Sequence, residues 1–332
     1  MARFGTPARN ELAAAALKNV LTSLPILDGD DIARLLPYGV LVDALEAGHR
    51  EPPPVARRVV FGPEGSDQSF LGLPAWLPGE AIGVKLVTVM PANPAAGKAS
   101  VQALYVLFDG VDGAPLALLD GTELTYRKTA ADSALGARHL ARHDAATLLM
   151  VGAGGLAPHL VAAHRVVRPS IERVLVWNRT PERAETVASA VGGTVATDLA
   201  AAVAAADVVC TATMTATPLV SGRWLRPGTH LDLVGAFLPD HREVDDHAVT
   251  AAEIYVDDRL ATLTEDGDLV IPLAAGLIDE SAVRGDLWQL CRGDVPGRTD
   301  DEAITLFENG GGGHLDLMAA RCAWRRHVDG SS

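Results

Sequence analysis

The amino-acid sequence predicts an α/β fold, with a doubly wound parallel sheet and a second region of mixed helices and strands. From Thr147 onward, apolar runs alternate with segments of helical spacing, which is typical of a parallel sheet covered by helices. Before residue 129, short strands follow one another with turn residues between them, which favours antiparallel or mixed pairing. We therefore expect one domain over residues 1–128, with 306–332 returning to it, and a second domain over 129–305.

The first region is predicted to begin with helices and to continue as strands. Helical spacing covers Asn10–Ser23 and then a helix pair between Asp28 and His49, which Pro37 interrupts. Glu51–Pro54 is a stiff connector. Asp109–Gly113 has the composition of a hairpin turn. The predicted strands are Ala56–Phe61, Ser69–Leu73, Ile82–Met90, Val101–Phe108 and Pro115–Leu119.

The second region is predicted as alternating strands and helices after a helix over Ala130–His143. Thr299–Glu302 has the pattern of a helix capping box, although Ile304–Phe307 fits a short strand equally well. A last helix over His314–Arg326 is too short to be a domain, so it should pack onto the first region. The predicted strands are Thr147–Val151, Arg173–Trp177, Thr194–Thr197, Val208–Thr213, His230–Ala236 and Glu253–Val256, and the helices between them are Ala157–Val167, Pro181–Val191 and Leu199–Ala205.

A glycine-rich turn after the first parallel strand predicts a dinucleotide site of Rossmann type. The turn fits G-x-G-x-x-A: Gly152 allows the tight turn, Gly154 lets the backbone approach a pyrophosphate, and Ala157 lets helix and strand pack closely. The N-terminus of the helix that follows offers N–H groups to the phosphates. The expected cofactor-binding residues are Gly152, Ala153, Gly154, Gly155, Leu156, Ala157, Asn178, Arg179, Thr180, Arg183, Thr211, Thr213, Val234 and Gly235.

The end of the second parallel strand favours NADPH over NADH. An acidic residue there would accept hydrogen bonds from the ribose 2′-hydroxyl and repel a 2′-phosphate. The sequence has Asn178 instead, followed by Arg179 and, one turn further, Arg183. The alternative is that both arginines belong to a solvated helix start, because Thr180 and Pro181 suit its first two positions. NADH remains a weaker alternative cofactor.

Composition excludes several other classes of protein. The chain has 332 residues and a formal net charge of -14, whereas nucleic-acid binding requires clustered basic residues. Cys210, Cys291 and Cys322 are odd in number and widely spaced, so they predict neither a disulfide framework nor a zinc site. The histidines show no metal-ligand spacing, and we expect no metal. No apolar run reaches the roughly 18 residues of a membrane span, and nothing resembles a signal peptide. We expect a cytoplasmic protein.

Short stretches along nearly the whole chain form a pattern that is specific only in combination. They are Ala56–Val60, Val84–Thr88, Val101–Ala103, Leu118–Gly121, Thr125–Ala131, Val151–Gly154, Val176–Thr180, Val234–Ala236, Pro239–Asp240, Arg242–Glu243 and Tyr255–Asp257. Together these stretches resemble the ornithine cyclodeaminase/mu-crystallin family. The resemblance implies a substrate and dimerisation region, a Rossmann domain that binds NAD(P), and a homodimer.

The same resemblance implies the substrate-binding residues. Arg57 and Lys85 match family positions that bind the substrate carboxylate, and Lys85 is also the expected proton donor. Without the resemblance, Lys85 would be interpreted as a lysine on the solvated face of an edge strand. The family has an arginine directly before Thr-Ala-Ala, where this sequence has Lys128 preceded by Arg127. If this stretch is a strand or turn, the two side chains point in opposite directions, which leaves open which of them reaches the substrate.

Two departures from the family's ornithine-converting members indicate the reaction. Phe237 lies near the position where those members carry an acid, and Phe70–Pro74 also lacks one. Burying the distal ammonium of ornithine without a carboxylate would cost several kcal/mol. The pattern is closer to the family's reductases of cyclic imino acids such as Δ1-pyrroline-2-carboxylate. The alternatives are an alanine or N-alkyl amino acid dehydrogenase, an ornithine cyclodeaminase, or a non-catalytic crystallin-like binder.

The glycine-rich segment near the C-terminus adds one more candidate. Gly310–Gly313 permit close approach of the backbone to a nicotinamide ring, and His314 follows at the start of the last helix. His314 is expected to hydrogen-bond substrate or water. The alternative is a flexible hinge with an exposed histidine.

Overall fold

The chain forms two compact units. The computed structural model describes residues 23–236 and 238–330. The first unit holds the described residues up to Leu35, together with Pro54–Leu124 and the residues from Ala320 onward. The second holds Leu36–Pro53 and Thr125–Ala319. The predicted helix over Asn10–Ser23 lies outside the described residues apart from Ser23.

The first unit is built on a seven-stranded mixed sheet, as predicted. The strand order is β1-β7-β6-β5-β4-β2, with β3 also paired to β4. All pairs are antiparallel except β1 with β7. The single strand predicted over Ala56–Phe61 is two short strands, separated at Arg57 and Arg58. The strands are β1 Ile26–Leu27, β2 Val55–Ala56, β3 Val59–Phe61, β4 Ser69–Leu77, β5 Ala81–Val89, β6 Val101–Asp109 and β7 Pro115–Asp120.

The second unit is built on an eight-stranded sheet whose strands are all parallel. The order is β10-β9-β8-β11-β12-β15-β13-β14, so the direction of winding changes beside β8. Ligands bind at such a switch point, beyond the carboxyl ends of the strands. The strands are β8 Thr147–Val151, β9 Arg173–Trp177, β10 Thr194–Val195, β11 Val208–Thr211, β12 His230–Leu233, β13 Glu253–Val256, β14 Val283–Asp286 and β15 Thr305–Glu308.

Helices flank both sheets at the positions that the turns and caps favour. The predicted break at Pro37 separates α1 from α2. The helices are α1 Gly29–Leu35, α2 Tyr38–Arg50, α3 Gly121–Leu140, α4 Ala157–Val167, α5 Pro181–Val191, α6 Leu199–Ala205, α7 Asp246–Ala251, α8 Arg259–Glu265, α9 Gly267–Ala274, α10 Leu287–Arg292 and α11 Gly313–Val328. Short 3₁₀ turns occur at Asn93–Ala96, Gly222–Trp224 and Glu280–Ala282.

Helix α3 begins well before the predicted helix over Ala130–His143. The Asp120 carboxylate accepts hydrogen bonds from the backbone N–H groups of Thr122 and Glu123, each at 2.8 Å, and so caps the first turn. Arg127 and Lys128 therefore lie inside a helix, and the expectation of a strand or turn is wrong. On a helix their side chains differ in direction by about 100° rather than pointing in opposite directions.

The structure also decides two questions near the C-terminus: whether a helix or a strand follows Thr299–Glu302, and what the last helix contacts. The segment after the predicted capping box is the strand Thr305–Glu308, and Thr299–Glu302 begins no helix. In the first unit, Arg321 and Arg325 of α11 both form ion pairs with Glu80, in the turn between β4 and β5. Within the described part of the chain, each helix is too short or too polar to cross a bilayer.

Candidate functional site

The glycine-rich turn after β8 has the backbone that a dinucleotide site requires. Gly152 has φ = 113°, and a Cβ there would lie 2.6 Å from the Ala212 carbonyl oxygen, so only glycine fits. Gly154 is exposed, and a Cβ built on it would meet nothing within 4 Å. Helix α4 follows with no side-chain cap on its N-terminus. This open glycine and the uncapped helix end fit a pyrophosphate group.

Next to this turn, the buried Glu243 carboxylate binds four of the residues expected to contact the cofactor. Its two oxygens accept hydrogen bonds from the Thr211 and Thr213 hydroxyls, each at 2.6 Å. They also accept from the backbone N–H groups of Val234 and Gly235, at 3.2 and 2.7 Å. These donors are thus committed to Glu243. Contact of these four residues with a cofactor would have to come from their other atoms.

Glu243 is itself held by a second buried carboxyl group. The Asp268 carboxylate accepts hydrogen bonds from the Glu243 and Val244 N–H groups at 2.9 and 3.0 Å. Burial, and then the Glu243 charge, raise the pKa of Asp268 to about 7. Burial also raises the pKa of Glu243. This role of Glu243 was not predicted from the sequence, although Arg242-Glu243 is one of the stretches that carry the family resemblance.

The end of β9 presents a cationic surface where the 2′-position of a ribose would bind. The Asn178 side-chain amide donates to the Thr180 carbonyl oxygen at 3.0 Å. Arg179 and Arg183 are exposed, and neither forms an ion pair with a described residue. Thr180 is the N-cap residue of α5, but its side chain makes no capping hydrogen bond. Position and charge thus suit a phosphate, while exposure alone would also suit a solvated helix start.

Lys85 lies on the buried face of an interior strand of the first unit. Strand β5 is paired on both sides, and Lys85 stands opposite Leu73 and Tyr105. The residue is only 6% exposed. A lysine is rarely buried to this degree without a partner or a function. The alternative of a solvated lysine on an edge strand is therefore wrong.

Arg57 lies in the gap between β2 and β3. Its backbone N–H donates to the Pro74 carbonyl oxygen at 3.1 Å, one residue from the Leu73 that pairs with Lys85. Two strand spacings, about 10 Å, therefore separate the backbones of Arg57 and Lys85. The Arg57 side chain is exposed, and its guanidinium donates to the Ala56 carbonyl oxygen. Both residues therefore lie at about the same level along the strands of one sheet.

Arg127 and Lys128 have different surroundings in the second unit. The Arg127 guanidinium donates to the Leu36 carbonyl oxygen at 3.0 Å and lies over the Tyr38 ring, 5.1 Å from its centroid. Lys128 is 4% exposed, and a Cβ on Gly311 would lie 2.8 Å from its Nζ. Arg127 thus has structural contacts of its own, whereas Lys128 faces the glycine-rich segment.

His314 is buried in an aromatic cluster at the start of α11. Its ring lies 5.6 Å from the Trp288 ring and 6.0 Å from the His49 ring, between centroids. Burial, with the Lys128 charge as a second cause, lowers the pKa of His314 to about 4, so the ring is neutral. Its Nε2 atom has no hydrogen-bond partner among the described residues. The predicted alternative of an exposed histidine on a hinge is wrong.

A buried group of carboxyls, which was not predicted from the sequence, lies at the carboxyl ends of β13 and β15. The Gly311 N–H donates to Asp257 Oδ2 at 2.6 Å. Burial raises the pKa of Asp257 to about 7, and burial together with the Asp257 charge raises the pKa of Asp132 well above its usual value. Burial does the same to the pKa of Glu308. The signal that the sequence offered for this group was the single acidic residue at the end of each apolar strand.

Phe237, one of the predicted substrate-binding residues, lies outside the described residues.

Comparison with known proteins places this arrangement in a family. The model of the ornithine cyclodeaminase/mu-crystallin family matches residues 41–331. A Delta(1)-pyrroline-2-carboxylate reductase from Paracoccus denitrificans is 44% identical over 297 residues, which cover 88% of this chain and 93% of that protein.

Two solved structures are similar over nearly their full length. The Thermococcus litoralis Delta(1)-pyrroline-2-carboxylate reductase, in complex with NADH and L-proline, has a TM-score of 0.87 at 30% identity and covers 92% of this chain and 98% of its own. An archaeal alanine dehydrogenase dimer with bound NAD has a TM-score of 0.86 at 26% identity, covering 93% and 97%. The family match, the sequence identity and the shared fold agree with the resemblance found in the sequence. The chain belongs to the ornithine cyclodeaminase/mu-crystallin family.

Proposed function

We propose that the protein is an NADPH-dependent reductase of cyclic imino acids. The substrates are Δ1-pyrroline-2-carboxylate and Δ1-piperideine-2-carboxylate, and the products are L-proline and L-pipecolate. The carrying observation is the buried Lys85 on an interior strand, in a chain whose glycine turn keeps the backbone of a dinucleotide site. The names of the relative from Paracoccus and the structure from Thermococcus support imine reduction.

The proposed residue roles are binding of the substrate carboxylate and donation of a proton to the imine nitrogen. When bound, the nicotinamide supplies hydride to the C=N carbon. The cations Arg57 and Lys85 hold the substrate carboxylate and orient the ring. Lys85 also gives the imine nitrogen its proton, directly or through a water molecule, as an ammonium group can.

Lys128 is the better candidate for the third cation at the carboxylate. Arg127 already donates to the Leu36 carbonyl oxygen and stacks on Tyr38, so reaching a substrate would break both contacts. Lys128 lies beside Gly311, in the segment that also places His314. A neutral His314 with an unpartnered Nε2 is suited to accept a hydrogen bond from the substrate or from water.

The preference for NADPH rests on charge at the end of β9. Exposed Arg179 and Arg183 offer guanidinium groups to a 2′-phosphate, and Asn178 removes the repulsion that an acid would cause. NADH is the weaker cofactor in this proposal. Its presence in the Thermococcus complex makes it the necessary comparison in every assay.

The homodimer and the cytoplasmic location are part of the same proposal. One face of the first unit's sheet exposes aromatic and branched side chains, which favours a protein interface. The cysteines are free thiols, which suits a reducing compartment. The exposed apolar residues of this face are Ile26, Val55, Val59, Phe61, Phe70, Trp76 and Leu104.

The second candidate function is an amino-acid dehydrogenase that makes alanine or N-alkyl amino acids from a 2-oxo acid and an amine. Similarity to the archaeal alanine dehydrogenase favours it. Ornithine cyclodeamination is disfavoured because Phe70–Pro74 contains no acid for the distal ammonium, and Phe237 replaces the second one. A non-catalytic binder is disfavoured because the chain retains both Lys85 and a glycine turn with the backbone of a dinucleotide site.

The deciding experiment is a substrate panel with the purified protein. Oxidation of NADPH is followed with each cyclic imino acid, and with pyruvate plus ammonia or methylamine, while ammonia release is followed from L-ornithine with NAD(P)+. We expect rapid oxidation with a cyclic imino acid and none with ornithine. Faster turnover of pyruvate plus amine would establish the dehydrogenase, and ammonia release without imine reduction would establish the cyclodeaminase.

Phe237 provides a more pointed test of the same choice. If Phe237 lies beside the substrate ring, Phe237→Asp would set a carboxylate against apolar carbons, and turnover of Δ1-pyrroline-2-carboxylate should fall. Ornithine activity should stay small, because Phe70–Pro74 would still lack an acid. Unchanged imine reduction would show that Phe237 does not lie beside the ring.

A further inference from the structure

Three potential metal ligands meet inside the second unit, on elements far apart in the sequence. His164 lies on α4, Cys210 on β11 and Asp232 on β12. Cys210 and Asp232 are directly paired across the two parallel strands, so their side chains share one face of the sheet. All three residues are fully buried. None of the three residues has a role in the proposed reaction.

The histidine ring is oriented as it is in metal sites. His164 Nδ1 lies 2.9 Å from the Leu160 carbonyl oxygen, which can only accept, so this nitrogen carries the proton. The lone pair is therefore on Nε2, which lies 3.4 Å from Asp232 Oδ2 and has no hydrogen-bond partner among the described residues. A backbone carbonyl that holds the far ring nitrogen in this way fixes the tautomer that metals require.

The three ligand atoms lie within 4.8 Å of one another, and one of the distances between them matches a small tetrahedral cation. Ligand bonds of about 2.0–2.1 Å to nitrogen and oxygen make a tetrahedral edge of about 3.3 Å. The distance between His164 Nε2 and Asp232 Oδ2 is 3.4 Å. Cys210 Sγ lies 2.9 Å from the same oxygen, so the sulfur would retreat by about half an ångström to reach the edge that a zinc–sulfur bond of about 2.3 Å implies.

The charges also balance in a buried setting. One thiolate and one carboxylate neutralise a divalent cation, while the neutral imidazole adds no charge. The mixture of sulfur, nitrogen and oxygen ligands suits zinc better than magnesium or calcium.

We propose that His164, Cys210 and Asp232 form a structural zinc site. The fourth ligand is a water molecule, which can donate a hydrogen bond to Asp232 Oδ1, an atom with no partner among the described residues. Zinc there joins α4, the helix that begins at the glycine turn, to two central strands of the sheet. The site is independent of the proposed reaction and would stabilise the unit that binds the dinucleotide.

The test measures metal on the full-length protein refolded in zinc and then desalted, since the site is closed in the native state. We expect about one zinc per chain, as for other structural sites. Refolding in cobalt should produce a thiolate-to-cobalt absorption band. The double variant Cys291→Ser/Cys322→Ser retains Cys210 alone and should keep both the metal and the band.

Two further variants complete the test. Cys210→Ser should lose the absorption band, and Asp232→Asn should reduce metal retention at least tenfold. Cys291→Ser is the matched control, because Cys291 Sγ also lies near a histidine, 3.9 Å from His139 Nε2. Wild-type protein without metal or band would overturn the proposal and leave the three residues as a hydrogen-bonded cluster. Loss of the band in the double variant would overturn it as well, even if Cys210→Ser fails to fold.

Discussion

The two sheets of this molecule use their side chains in different ways. In the first unit, the nine-residue strand β5 begins with alternating buried and partly exposed positions. One face of this sheet exposes large apolar residues, among them Phe61 of β3 and Trp76 of β4. In the second unit, β8, β11 and β12 are buried at every position. The first sheet therefore buries a lysine, Lys85, in the middle of a strand, whereas in the second sheet the carboxyl groups of Asp257 and Glu308 lie where strands end.

This difference follows from how each sheet is covered. A parallel sheet with helices on both faces has apolar strands, so its chemistry concentrates at the loops beyond the carboxyl ends. An antiparallel sheet has one packed face and one open face, so a single residue in the alternating pattern decides which face carries a charge. Lys85 and Glu243 represent the two arrangements.

The largest effect is expected at Lys85, which tests the mid-strand cation of the first sheet. Lys85→Ala should lower kcat/KM for the imine by at least about 100-fold, because carboxylate binding and proton donation are both lost. Lys85→Arg should restore little, since a guanidinium does not release its proton. Lys98→Ala, an exposed lysine of the same unit, is the control. Near-normal reduction by the alanine variant would remove Lys85 from the site.

The second prediction concerns Arg179, a cation at the carboxyl end of a strand in the second sheet. Losing a hydrogen bond to a charged phosphate costs roughly 1.5–3 kcal/mol, so Arg179→Ala should weaken kcat/KM for NADPH by tens-fold and leave NADH nearly unchanged. Arg173→Ala removes an exposed arginine from the other end of the same strand and serves as the control. An equal loss with both cofactors would argue against a 2′-phosphate contact.

Asp268 tests the buried carboxyls of the second unit through pH. Its pKa is about 7 in the folded protein, against 3.8 for the free side chain, so the folded state binds its proton more tightly. This stabilisation is complete below about pH 4 and is lost as pH rises through 7, on the order of 2 kcal/mol between pH 5 and 8. Asp268→Asn keeps an acceptor oxygen and should flatten that decline, measured by urea unfolding at both pH values.

Asp67 of the first unit serves as the control for Asp268, because it is the same residue type but is exposed. Asp67→Asn should leave the pH dependence of the unfolding free energy as it is in the wild type. If the stability of Asp268→Asn declined as steeply as that of the wild type between pH 5 and 8, the Asp268 carboxyl would have to titrate outside this range.

The smallest effect on stability is expected on the open face of the first sheet. Trp76 is 50% exposed, so Trp76→Gln should change the unfolding free energy of a monomer by only about 0.5 kcal/mol. If this face joins two copies, the same variant should shift the protein toward monomer in sedimentation at micromolar concentration. Leu260→Gln, another exposed apolar residue but in the second unit, should leave the oligomeric state unchanged.

Local pattern was sufficient to predict most of the fold. Buried parallel strands read as apolar runs, so the strands at Thr147–Val151 and Arg173–Trp177 were predicted at the bounds that the structure shows. The glycine turn was equally visible, because Gly152 must adopt a backbone that other residues avoid. The start of α3 was missed because the carboxylate of one residue, Asp120, caps a helix whose first turns carry little apolar periodicity.

The sequence by itself determined the α/β class, the glycine turn and the unusual lysine within an apolar strand, because each depends on residues that are neighbours along the chain. Only the tertiary structure decided that Lys85 is buried on an interior strand, and that Lys128 rather than Arg127 faces the glycine-rich segment. Only it brought His164, Cys210 and Asp232 together. Strand order and helix packing set these distances, and no local spacing encodes which strands become neighbours.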